Sequence, residues 1–190
     1  SRDEYFKLLD KATSVLTNID SPEISYMAYL RQNGFPSPLL DWSESPFIAV
    51  YFAMIKPPTK SLRNVAVFVY LERPSGVKCG DAFGPAIWST GPYIETDKKH
   101  YIQKSRYTYC ISMENNKNGN ILYYTAHEDV AKENNDDQDL LWKLIIPITE
   151  RENFLLELEK MNINSYSLFE TEEGLLEHIY ISEILINKHL

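Results

Sequence analysis

The residues best suited to do chemistry lie in Leu39-Leu40-Asp41-Trp42-Ser43-Glu44-Ser45, where an acid, an aromatic ring and hydroxyls follow one another. They sit where an extended segment runs into an apolar helix, a place that presents side chains to a cleft. A structural role is compatible with this: Asp41 or Ser43 would cap the helix and Trp42 would pack in the core. A second group, Lys98, Lys99, Lys104 and Arg106, gathers four cations in a chain of net charge −8. It reads either as a solvated face near a strand end or as a local groove for phosphates.

The remaining sequence removes several other chemistries. Gly76, Gly80 and Gly84 match neither a P-loop nor GxGxxG, HExxH is absent, and no nucleophile elbow occurs. His100, His127, His178 and His189 are not at ligand spacing with the cysteines. Cys79 and Cys110 build neither a disulfide framework nor a CxxC site, and there is no Asn-x-Ser/Thr acceptor, which favours a reducing compartment. No apolar run reaches membrane length and Ser1-Arg2-Asp3-Glu4 does not open a signal peptide, so the expectation is a cytoplasmic protein without a membrane partner. The net charge argues against a surface that binds nucleic acid throughout.

These side chains need elements to position them. Tyr5, Leu9, Ala12, Leu16 and Ile19 predict an amphipathic helix over 3–18, and Ser21-Pro22 opens a second that Gly34 ends. Pro36 and Pro38 make Leu39-Leu40 a buried extended segment. An interior helix begins near Ser45-Pro46 and stops before Pro57-Pro58. Val65 to Leu71 reads as a central strand closed by Arg73-Pro74-Ser75-Gly76, followed by loops with short strands over 77–98. Tyr107 to Met113 and Ile121 to Thr125 form a hairpin about Asn118-Gly119. After an acidic loop, Glu133 to Asp139, comes a strand from Leu140 to Ile148. Thr149 with Glu152 forms a capping box for a helix to about Met161, and Thr171 starts the last helix. The expected fold is one α+β domain over 1–190, with a mixed or antiparallel central sheet and helices at both ends.

The run from Leu30 to Ala53, LRQNGFPSPLLDWSESPFIAVYFA, resembles the FRG domain signature, in which members often read H-H-G-F-P-T/S-P-L-L-D-W-T-x-S-P-x-x-A. Gln32-Asn33 stand where histidines are common. Gly91-Pro92-Tyr93 with His100-Tyr101-Ile102-Gln103 to Tyr107-Thr108 look like a second family motif. Asn162-Ile163-Asn164, Tyr166-Ser167-Leu168-Phe169 and Glu172-Glu173-Gly174-Leu175 look like a closing one, so the likeness covers about residues 25 to 180. The Phe/Tyr-Arg-Gly tripeptide that names the family is expected upstream of Ser1.

The order of elements in this family looks like that of ADP-ribosyltransferases, which implies a toxin or defence effector acting on NAD. In that comparison Asp41, Trp42, Ser43 and Tyr107 would hold NAD, with Trp42 stacking the nicotinamide and Ser43 bonding the ribose or amide. Gln103 and His100 would be the catalytic side chains, contacting the ribose hydroxyls. Lys98, Lys99, Lys104 and Arg106 would meet the pyrophosphate or a nucleic-acid or protein acceptor. The resemblance supplies no glutamate at the catalytic place, Glu95 and Glu114 being the nearest acids. The alternative expectation is a non-catalytic nucleotide- or protein-binding regulatory module.

Overall fold

The structure, a computed structural model, describes residues 22–73, 85–92, 94, 96–116, 119–133 and 139–189. The expected first helix, the turn after Val65–Leu71 beyond Arg73, the hairpin tip at Asn118 and most of the acidic loop lie outside the described residues. Helix α1 spans Pro22–Gln32, and Gly34 follows with φ +78°, a left-handed conformation that costs glycine little. Strand β1 covers Leu40–Ser43 and α2 covers Pro46–Met54. Ser45, rather than Asp41 or Ser43, caps α2, its side chain accepting from the Ile48 N–H at 3.4 Å. Although α2 is apolar all round, only Ile48, Tyr51 and Met54 are fully buried, while Phe47 and Phe52 are exposed. The expected interior helix is therefore a one-sided one.

Strand β2 (Asn64–Glu72) pairs antiparallel with β6 (Asp139–Pro147), from Asn64 opposite Pro147 to Glu72 opposite Asp139. Among the described residues these two form a sheet of their own, so β2 is not the central strand its composition predicts. That place belongs to β4 (Ser105–Asn116), which pairs antiparallel with β1, with β3 (Ala86–Thr90) and with β5 (Gly119–Tyr124). Twelve residues of β4 are long enough to serve three partners in overlapping registers. The α+β expectation is met with two antiparallel sheets in place of one. Short helices α3 (Lys98–Ile102) and α4 (His127–Glu133) interrupt the strand-rich half where no periodicity announces them.

Two apolar cores flank this framework. One lies between α1 and β4, with Ile24, Ala28, Leu39, Ile94, Tyr107 and Tyr109. The other joins Ile48, Tyr51, Met54 and Ile55 to Leu155, Leu158 and Leu168 of the C-terminal helices. Those helices are α5 (Arg151–Lys160), α6 (Ser165–Phe169) and α7 (Glu172–His189). The capping box expected at Thr149 does not form, because that residue falls in a 3-10 turn, Ile148–Glu150, that leads directly into α5. The capping box instead opens α6: Asn164 accepts from the Ser167 N–H at 2.9 Å and the Ser167 hydroxyl accepts from the Asn164 N–H at 3.1 Å. No helix is long and apolar enough to cross a membrane among the described residues.

Thr171 does open α7, accepting from the Gly174 N–H at 3.1 Å. Gly174 is required there for another reason: a Cβ would stand 2.8 Å from the backbone oxygen of Ser165. Ser165 is itself fixed, bonded to the Tyr51 hydroxyl at 2.6 Å and to Glu177 at 2.8 Å. Neither backbone can yield without breaking this buried junction, so Gly174→Ala is expected to cost about 2 kcal/mol, read as a lower urea midpoint at unchanged slope. A midpoint equal to that of the unmodified protein would show that the α6–α7 contact is not tight.

Candidate functional site

The residues the sequence groups together lie on β1 and β4, and the pleat separates them. Leu40 pairs with Thr108 and Trp42 with Arg106, so Trp42 and Thr108 share one face of the sheet. Asp41, Ser43 and Tyr107 point to the other. One set of candidates thus faces α1 and its core, and the other faces the β2–β6 ribbon. They cannot surround a ligand from a single wall.

On the α1 side a closed hydrogen-bond chain runs through the core. The Pro92 carbonyl can only accept, so His100 donates Nε2–H to it at 2.6 Å. His100 Nδ1 is then the acceptor for the Tyr107 hydroxyl at 3.2 Å, and Tyr107 accepts from the Gln32 amide at 3.0 Å. Gln32 Oε1 accepts from Thr96 at 3.3 Å. Burial, with the Asp41 charge adding to it, pushes the Tyr107 phenol up to about 12, which keeps its proton available for His100. Gln32, at a position where the FRG signature often has histidine, bridges this chain without a titrating group.

Gln103, the other catalytic candidate, caps α3 and donates to the Leu168 carbonyl at 3.2 Å. Its own carbonyl accepts from Ser43 at 2.8 Å, and Ser43 accepts in turn from the Ser45 N–H at 3.1 Å. Gln103 and Ser43 thereby tie β1, α3 and α6 together. Asp41 is exposed and accepts from Arg31 at 2.7 Å. Of the four clustered cations, Lys98 pairs with Glu170, and Arg106 pairs with Glu44 at 2.5 Å while also donating to the Gly91 carbonyl. Half of the patch is thus neutralised by carboxylates, which weakens it as a phosphate groove.

The other face of β4 meets the β2–β6 ribbon, and this seam gathers residues that spacing did not connect. The Trp42 indole N–H donates to Thr108 at 2.8 Å, and its ring lies 5.4 Å from that of Tyr70, tilted by 33°. Ser89, opposite Thr108 in register, donates to Glu72 across the two sheets. Glu72 and Asp139 are cross-strand partners, an unfavourable like-charge pairing that Arg73 offsets through its backbone N–H to Asp139 at 3.0 Å and its guanidinium 3.4 Å from Glu72. Burial and the Asp139 and Glu72 charges hold the Tyr70 phenol far above its ordinary value. The seam therefore sets the Tyr70 ring and the Thr108 hydroxyl against a partly exposed Trp42, and Glu72, Asp139 and Ser89 come together between the same two sheets. Glu72 and Asp139 escaped sequence reasoning because only strand register brings them together.

The Thr108 hydroxyl, which accepts from Trp42, also bonds His127 Nε2 at 2.8 Å. Burial depresses the His127 pKa and outweighs the neighbouring Glu128 charge and a bond to the Thr108 backbone, which act the other way. Because the unfolded histidine binds its proton at higher pH than the folded one, stability should fall as pH drops below about 6.5 toward the depressed folded pKa. His127→Asn should lack that portion of acid sensitivity in urea denaturation, and Trp42 emission should shift over the same window only in the unmodified protein. A variant with the same pH dependence would show that His127 does not govern this end of the seam.

The model of the FRG domain matches residues 2–61, which include α1, β1 and α2. No curated protein and no solved structure matches the chain. The matched stretch contains the Gln32 bridge of the buried chain and the Trp42 of the seam, so both faces of the site begin in it. This protein carries an FRG domain over residues 2–61.

Proposed function

We propose that the seam between the two sheets takes the nicotinamide-ribose end of NAD, and that the domain transfers ADP-ribose to an acceptor. The supporting observation is the meeting of Trp42 on one sheet with Tyr70 on the other, two residues before Glu72 on the same strand. Cleaving the bond between nicotinamide and ribose sends its electron pair to the ring nitrogen and leaves positive charge on the sugar. A flat aromatic surface suits the departing ring, and a carboxylate suits the developing cation. Trp42 has the fixed orientation for the first role, because Thr108 holds its N–H. Glu72 supplies the carboxylate that the family resemblance alone did not, aligned by Ser89. With water as acceptor the products are ADP-ribose, nicotinamide and a proton.

In this reading His100, Tyr107, Gln103, Ser43 and Asp41 shape and hold β1 and β4 from behind. Their polar atoms already bond within the domain, and that observation favours a second reading, a module that binds the nucleotide without turnover. Calorimetric titration with NAD and measurement of nicotinamide release separate the two. Trp42→Ala should weaken NAD binding by about tenfold or more, since stacking contributes on the order of 1–3 kcal/mol. Glu72→Gln should leave binding within a few-fold and reduce nicotinamide release by about a hundredfold. Binding without release would favour the second reading, and no heat at millimolar NAD would sink both.

A further inference from the structure

We propose that the outward face of α7 docks a basic amphipathic helix of a partner protein. Leu176, Ile179 and Tyr180 are 68%, 48% and 65% exposed, and Leu175 lies beside them. At 100° per residue these four side chains fall in one stripe within two turns. Single exposed apolar residues are ordinary, but a contiguous stripe of this kind marks an interaction surface. The opposite side of α7 is committed: Gly174 abuts Ser165, His178 lies 3.3 Å from Glu159, and Ile181 packs against the C-terminal core.

Charge identifies the occupant. Glu172 and Glu183 fall within the stripe and Glu173 and Glu177 along one side, while no Lys or Arg occurs from Glu172 to Glu183. Glu172, Glu173 and Glu183 are exposed. Among the described residues Arg151 interacts with Tyr180, and its guanidinium is already bonded to the Met54 and Ile55 carbonyls at 2.7 and 3.0 Å. In a two-fold contact with a second copy the same patch would face itself and set carboxylates against carboxylates. A helix with apolar residues on one side and lysines or arginines flanking them would bury the stripe and neutralise its rim.

The test uses a labelled synthetic helix with leucines at i, i+3, i+4 and i+7 and lysines elsewhere, alongside a counterpart carrying glutamates in place of the lysines. Fluorescence anisotropy should show the lysine peptide binding at least about tenfold more tightly than its counterpart, with affinity falling as salt is raised. A Leu176→Ser/Tyr180→Ser double variant keeps every charge and touches exposed positions only, so circular dichroism should match that of the unmodified protein. It should lose about tenfold in affinity for the lysine peptide. Equal affinity in the variant would reduce the effect to net charge and overturn the proposal, as would failure of the lysine peptide to bind. Sedimentation showing a dimer that the variant converts to monomer would overturn it in favour of a second copy.

Discussion

Antiparallel pairing of β1 with β4 is the constraint on which the rest of this structure depends. A strand sends successive side chains to opposite faces, so a single register, Trp42 opposite Arg106, decides the surroundings of every residue in Leu40-Asp41-Trp42-Ser43. Trp42 goes to the seam with Thr108, while Asp41 and Ser43 go to the side of α1 and Tyr107. A slip of one residue would bury Asp41 against Tyr70 and release Trp42 from its hydroxyl partner. The buried contacts on both faces, Tyr107 with His100 and Trp42 with Thr108, make that slip costly.

Both sides of β4 use polar chains, for different ends. Behind the strand, Thr96, Gln32, Tyr107 and His100 satisfy one another and finish on the Pro92 carbonyl. A buried network of this kind stabilises only when each member is paired, and here no carboxylate is needed to complete it. On the seam the carboxylates are present, opposite one another at the ends of β2 and β6, and together with burial they raise the Tyr70 phenol. The same strand thus separates an internally bonded scaffold from a partly open surface that carries two carboxylates, the division of labour expected of a support and a site.

Arg151 shows how the C-terminal helices are coupled to this arrangement. Helix α2 ends with carbonyls that have no partner further along the helix, and the Arg151 guanidinium takes those of Met54 and Ile55. The first turn of α5 therefore completes the last turn of α2. With Tyr51 bonded to Ser165, α2 is held at its end and in its middle by the segment that carries α5 to α7. Displacing the C-terminal helices would therefore act on α2 and, through it, on β1.

Local chemistry in the sequence determined much of the element list. Ser45-Pro46 opens α2, Gly34 ends α1, β-branched residues make β2 and β6, and Thr171 opens α7, because caps, turns and strand preference act within a few residues. The motif around Trp42 was legible for the same reason. Whether β2 was central, and whether Thr149 or Asn164 carried the capping box, depended on packing that local preference does not report. Nor could spacing show that Tyr70 meets Trp42 or that Glu72 and Asp139 stand opposite each other. Those placements were decided by strand register and by the approach of two sheets, which join residues up to about a hundred positions apart and leave no periodic trace in either partner.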